Sequence, residues 1–156
     1  MSQVIKMRAK RLIFIFLALF ILLKCALQKY GSFILKVMRR VPRLSIVHNG
    51  KEIISATLDI ANHPKTINEL LRANKVKALT INRGDYYMFK VPVRVGAEKP
   101  EASFKEGDLA FDYMGGWLVV FLKNATYPVK ANFIGKVESK VAELKPGTET
   151  IILFLP

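Results

Sequence analysis

Three patterns of apolar and polar positions follow one another along the chain. The first is an unbroken apolar run, Leu12 to Leu23, which resumes after Lys24 and reaches Leu27. At about 1.5 Å per residue the run from Leu12 to Leu23 makes roughly 18 Å of helix, short of a ~30 Å hydrocarbon core. Passing Lys24 lengthens it, because a lysine near a helix end can carry its ammonium to the interface. The second pattern has period four: Lys24, Gln28, Ser32, Lys36 and Arg40 recur while Leu27, Tyr30, Phe33, Ile34, Leu35, Val37 and Met38 fill the other faces. That spacing predicts a basic amphipathic helix of the kind that lies on an anionic membrane surface. The third pattern begins near residue 44 and has the period of two expected of strands.

Within this third region, Leu44–His48 and Glu52–Leu58 flank Asn49-Gly50, the preferred pair for a tight hairpin turn with two positive φ angles. Thr66-x-x-Glu69 reads as a capping box opening a short helix, with Ile67, Leu70 and Leu71 on one face and an end near Asn74. Val76–Asn82 alternates, and Asn82-Arg83-Gly84-Asp85 turns the chain into Tyr86–Phe89. Pro92 cannot donate to a ladder, which predicts an edge or a bulge there. Gly96–Glu106 is polar and predicts a surface loop. Leu109–Tyr113 and Trp117–Leu122 predict a hairpin across Gly115-Gly116. A polar loop leads to a strand at Phe133–Val137, Glu138–Lys145 is a short helical or irregular stretch, and Ile151–Leu155 is a closing strand after Pro146-Gly147. About eight strands, two short helices and no βαβ spacing predict a mainly β fold. Closure removes exposed edges, and eight strands enclose enough space for side chains, so a closed eight-stranded barrel is expected over 44–156, preceded by an N-terminal apolar and basic helix over 1–43.

Gly107-Asp108, the strand Leu118-Val119-Val120-Phe121, the Thr126…Pro128 loop and the block Ala131-Asn132-Phe133-Ile134-Gly135-Lys136-Val137 carry a resemblance. Together with Leu144-Lys145-x-Gly147, the terminal strand and the Asn49-Gly50 hairpin, they resemble the cyclophilin-like family of small archaeal and thermophile proteins. The resemblance covers about 44–156 and none of the arm. It implies an eight-stranded cyclophilin-type barrel and no settled activity. Two departures bear on any ligand groove: the family's Pro-Pro-Gly-type turn is here Tyr113-Met114-Gly115-Gly116, and the loop after the apolar strand is the shorter Leu122-Lys123-Asn124.

Charge changes the picture once it is mapped. The formal net charge is +13. Residues 1–43 hold ten basic groups and no acid, while residues 44–156 hold fifteen basic and twelve acidic residues, a net of only +3. The excess belongs to the arm and argues for a membrane contact through residues 12–40 rather than for nucleic acid. A spanning or interfacial anchor is the leading reading of the arm. A secretory signal peptide and a start at Met38 are alternatives, although no small-x-small cleavage site follows the apolar run. Basic residues flank that run on both sides, so the side of the membrane is left open. Cys25 is the sole cysteine, which excludes an intrachain disulfide and a thiolate metal cluster.

Candidate chemistry is sparse. No nucleophile elbow, phosphate-binding loop or zinc-protease motif is present. Prolyl isomerases of the cyclophilin fold carry a Phe-His pair in sequence beside an arginine, and no such pair occurs here. His48 and His63 are expected at a strand end and in a loop, satisfied or exposed, and form no metal site. Asp108 and Asp112 share a strand face and could do paired acid/base work, but a solvated outer face accounts for them. Arg83-Gly84-Asp85 is what a hairpin turn requires. Asn124-Ala125-Thr126 fits a glycosylation sequon, relevant if the domain is exported. Phe89, Phe104, Phe111, Tyr113 and Trp117 could line a ligand pocket, with the barrel core the default for half of them. Tyr113, Met114 and Trp117 flank a turn, where large side chains are harder to bury, and are the candidate ligand-binding residues. The expectation is a membrane-anchored, monomeric binding or accessory module for a peptide or small molecule, with no cofactor and no catalytic residue. A divergent peptidyl-prolyl isomerase or other small enzyme on the same barrel is the alternative.

Overall fold

The computed structural model describes residues 2–38 and 41–156, with side chains described for 11–31 and 41–156. The chain divides into two units, Met1–Arg40 and Val41–Pro156. The first is one helix, α1, Ser2–Met38. Its segment Arg11–Gly31 is 21 residues long, has a mean hydropathy of 2.2 and buries none of its side chains. Such a segment is long and apolar enough to cross a membrane, and a signal sequence has the same character. Of the basic stripe, Lys24 and Gln28 are exposed, while the side chains of Ser32, Lys36 and Arg40 lie outside the described residues.

The second unit starts from local turn chemistry. Asn49 (φ 52°) and Gly50 (φ 75°) both take positive φ, as a tight turn between right-twisted strands demands, and join β1 (Arg43–His48) to β2 (Lys51–Leu58). Helix α2 follows at Pro64–Ala73, then β3 (Lys75–Leu79), β4 (Ile81–Asn82) and β5 (Tyr86–Lys90). Strands β6 (Pro100–Phe104), β7 (Asp108–Asp112), β8 (Trp117–Phe121), β9 (Ala125–Val137) and β10 (Glu149–Leu155) complete the unit. All ladders are antiparallel, in the order β3-β10-β1-β2-β9-β7-β8-β5-β4, with β6 added to β9. The fold is mainly β, with ten strands rather than eight. The path runs from β3 to β4 and is open: no ladder joins these two strands, so closure into a barrel is not established by the pairing.

Two stretches that sequence patterning does not mark as strand explain one another. Gly96–Glu106, expected as a loop, contains β6, and the polar stretch before Phe133 is the first half of β9. Register between them slips, pairing Glu101 with Ala131 but Ser103 with Thr126, so Pro128 sits in an irregularity where no ladder donor is required. These strands cover the outer face of β7 and β8. Phe104 stacks on Phe121 with ring centroids 4.6 Å apart, and Tyr127 meets Phe121 edge-on. On the opposite face, Leu109, Phe111, Leu118 and Val120 join the main core with Ile46, Ile54 and Phe154. Burial on both faces is why β8 reads as an apolar run instead of an alternation.

Local caps differ from expectation. Thr66 does not cap α2; the helix opens at Pro64, and Thr66 is buried inside it. The exposed amide ends are met instead by the Glu98 carboxylate, which accepts from the backbone N–H of Lys65 (3.1 Å) and Thr66 (3.2 Å). A negative charge there also suits the helix dipole. Asn132, fully buried on β9, holds this corner together. Its amide donates to the Thr66 hydroxyl (3.1 Å) and Gly96 carbonyl (3.0 Å), and its oxygen accepts from the Glu98 N–H (2.7 Å). Glu138–Lys145 is irregular, pinned where the Tyr87 hydroxyl accepts from Leu144 N–H at 2.8 Å.

Candidate ligand groove

The β7–β8 turn is built around one carboxylate. Asp112 Oδ1 accepts from the N–H groups of Met114 (3.1 Å) and Gly115 (3.0 Å), and its Oδ2 accepts from the Tyr127 hydroxyl (2.7 Å). Burial of Tyr127, with the hydrogen bond and charge of Asp112 adding to it, raises the phenol's pKa well above the ordinary tyrosine range. Gly116 closes the turn at φ 72°. Held this way, the turn presents Met114 at 74% exposure, with Tyr113 half-buried beside it.

Opposite the turn runs Val91–Val95, an irregular stretch continuing from β5, in which Val93 N–H donates to the Val91 carbonyl at 2.8 Å. Val91 and Val93 are buried and Val95 packs against the core, while Pro92 and Arg94 face outward. The Val91 N–H donates to Gly116 O at 3.0 Å and ties the stretch to the turn. The last turn of α2 supplies the third wall. Between them lies a groove of about 750 Å³, lined by Tyr113 and Met114 together with Arg72, Lys90 and Arg94. Its one acid, Glu69, is already engaged by Arg72 at 2.8 Å. The volume is within the usual range for a small-molecule site.

Trp117 does not line this groove. It borders a second, more apolar recess of about 590 Å³ with Leu79 and Ile81. Lys90 belongs to both: its ammonium lies 5.0 Å from the Trp117 ring centroid and donates to the Gly115 carbonyl. Tyr113 and Met114 are thus brought together, and Trp117 stands on the far side of Lys90. Arg72, Lys90 and Arg94 went unrecognised in the sequence. Lys90 and Arg94 alternate with the valines in Lys90-Val91-Pro92-Val93-Arg94-Val95, a period-two signal that Pro92 obscured.

The other candidates fall into structural roles. Asp108 and Asp112 are not on a solvated face: they are 8% and 6% exposed, because β6 and β9 cover them. Asp108 Oδ2 accepts from Lys105 N–H at 2.9 Å, within its own turn. His48 is satisfied through Nδ1 at the Glu149 carbonyl, 2.8 Å away. His63 departs from expectation. It is 5% exposed at the start of α2, edge-on to Phe133, with neither ring nitrogen hydrogen-bonded. No group of histidine, cysteine and acidic residues among the described residues could hold a metal ion. Asn124 is exposed, and its side-chain oxygen accepts from Glu106 N–H at 2.9 Å.

The solution structure of a hypothetical protein from Archaeoglobus fulgidus is similar to this chain, with a TM-score of 0.60 and 20% identity. The likeness covers 72% of this chain and 94% of that one, and at such identity it is a likeness of fold. No protein-family profile and no curated protein matches the chain.

Proposed function

We propose that the chain is a membrane-anchored binding module, built on a cyclophilin-like barrel, that holds a peptide or small molecule in the Tyr113–Met114 groove. The observation that carries this reading is the groove itself: an exposed methionine and a half-buried tyrosine held by a rigid turn beside three cations. Rigid display of large side chains lowers the entropy cost of binding, and methionine adapts to varied apolar surfaces.

Two further features support the rest of the reading. Arg11–Gly31, at 21 residues, spans about 31 Å as a helix, close to the thickness of a hydrocarbon core. Strands β3 and β4, the two ends of the sheet, are separated along the chain by Thr80 alone, so both lateral ends fall within one continuous segment, as closure into a barrel would require. Asp112, which holds the turn, is consumed by two backbone donors and Tyr127, and Glu69, the acid that lines the groove, is paired with Arg72, which favours binding over catalysis.

The test is a screen of fragments and short peptides against the full chain in nonionic detergent, read by amide and methyl NMR shifts. Perturbations should cluster on Tyr113 and Met114, and Met114→Ala should weaken every hit. Hits that cluster elsewhere, or a screen that leaves Tyr113 and Met114 unmoved, would remove the groove from consideration. Fractionation of cells should find the full chain in the membrane pellet after a carbonate wash, and release into the supernatant would refute a spanning anchor.

A further inference from the structure

From the charge and backbone lining this groove, and resting on the binding-module reading, we infer that its ligand is an extended acidic peptide segment. The peptide pairs with the backbone of Arg94 and Val95 as a short added strand.

Val91–Val95 is an ordered stretch outside every ladder: Val93 N–H donates to the Val91 carbonyl at 2.8 Å in a tight turn over Pro92, and Arg94 and Val95 follow it. Its side chains alternate inward and outward as in a sheet, with Val91 and Val93 buried and Pro92 and Arg94 exposed. Neither Arg94 nor Val95 makes a backbone hydrogen bond among the described residues, and no ladder includes the stretch. It is also ordered from both ends, through Val91 N–H to Gly116 O (3.0 Å) and through the Asn132 amide to Gly96 O (3.0 Å). The free amide and carbonyl groups of Arg94 and Val95, on a segment ordered at both ends, are a template on which an extended peptide adds.

Charge selects the kind of peptide. Three cations line the groove against one carboxylate, and that carboxylate is paired with Arg72. Arg94 makes no ion pair among the described residues. The domain's net charge is near neutral, so this local excess is a property of the groove and not of the surface at large. A strand bearing carboxylates at alternate positions would set each of them toward the same side, to meet Arg94 and Lys90, the two cations of the groove outside the Arg72–Glu69 pair. Lys90 keeps the Gly115 carbonyl and the Trp117 face as its resting contacts, which fixes the cation near the mouth of the groove.

The experiment uses the isotopically labelled full chain in nonionic detergent and a capped peptide that alternates Glu with Thr. Binding should move the Arg94 and Val95 amides and weaken as salt rises. Arg94→Ala should reduce affinity roughly three- to tenfold, with Arg94→Lys recovering part of it. An unchanged amide fingerprint in each free variant establishes that it is folded. The same peptide with Lys for Glu, and the Glu peptide with alternate amides methylated, should both fail. Equal binding by the Lys peptide removes the charge argument, and equal binding by the methylated one removes the added strand. Saturation of the same amides by inorganic phosphate or by phosphatidylserine vesicles would assign the site to a free anion or a lipid headgroup and overturn the proposal. A neutral ligand bound at Tyr113 and Met114 with no dependence on Arg94 would overturn it while leaving the binding-module reading intact. If nothing binds the groove, both fall.

Discussion

Two valine-rich segments of the sheet domain, Trp117–Phe121 and Val91–Val95, have much in common as sequence and little as structure. The first is β8, laddered to β7 on one side and β5 on the other, with both faces buried. The second alternates buried and exposed side chains and buries two valines, yet it belongs to no ladder and turns tightly over Pro92, where Val93 N–H donates to the Val91 carbonyl. The difference arises from what surrounds each segment. Strand β8 is enclosed because β6 and β9 fold over its outer face, whereas Pro92 removes a donor and α2 stands across the groove without touching the free edge as a strand would. One segment has spent its hydrogen-bonding capacity on the fold, and the other keeps that of Arg94 and Val95 for a partner. Substitutions in the first should therefore register as stability, and those in the second as binding.

Phe121→Ala should give the largest effect. The side chain is fully buried and contacts Phe104, Tyr86 and Tyr127, so its removal leaves a cavity among aromatics that cannot all collapse into it. The expected loss is about 3–5 kcal/mol, measured by denaturant unfolding. A loss below about 1 kcal/mol would mean the outer aromatic layer is loosely packed, and the contrast with Val91–Val95 would fail.

Tyr127→Phe tests the polar part of the same layer. It strips a hydrogen-bond donor from Asp112 Oδ2 in a buried setting, at a cost of about 1–3 kcal/mol. The pH dependence supplies a sign. Tyr127 has its pKa raised in the folded state by burial and then by Asp112, while the unfolded chain ionises near the ordinary value of about 10. The unfolded state therefore loses its proton first, and stability present below about pH 10 is lost as pH rises toward the folded-state value. Stability measured across that range should fall more steeply for the native protein than for the Phe variant. Parallel curves would show that Tyr127 is not held in its neutral form.

These buried features were the least legible in the sequence. The Asn49-Gly50 hairpin, the Gly115-Gly116 hairpin and the closing strand were readable because each signal lies in adjacent residues. Burial of Asp108 and Asp112 was not, because the cover comes from Pro100–Phe104 and Ala125–Lys130, stretches too polar and proline-marked to announce strands. The cap of α2 misled for a related reason. Thr66 and Glu69 have the right spacing, but the carboxylate that meets the helix end is Glu98, far along the chain. The groove was half legible: Tyr113 and Met114 followed from their turn, whereas Arg72, Lys90 and Arg94 converge from a helix and an irregular stretch that only the tertiary fold brings together.

Glu98→Ala probes the hinge between the two regions, since Glu98 lies between the free edge and β6 and ties that loop to α2. Loss of the cap should cost about 1 kcal/mol. The amides of Lys65 and Thr66 should then exchange faster with solvent while those of β8 do not. Uniform acceleration would indicate that the loop is integral to the core, which would erase the distinction between an enclosed strand and a tethered edge.

The smallest stability effect is expected at the groove itself. Met114 and Arg94 are exposed, Met114 contacts solvent over most of its surface, and Arg94 makes no ion pair among the described residues. Neither fills a cavity nor satisfies a buried group, so Met114→Ala and Arg94→Ala should each change unfolding free energy by less than about 0.5 kcal/mol. The double variant sharpens the point: the two positions project from different elements and share no partner, so their stability effects should be small and additive. If their effects on ligand affinity are non-additive while those on stability are not, Met114 and Arg94 act on one bound molecule. A stability loss of several kcal/mol in either single variant would instead make the groove wall part of the core, and Val91–Val95 would then be a strand of the same kind as β8.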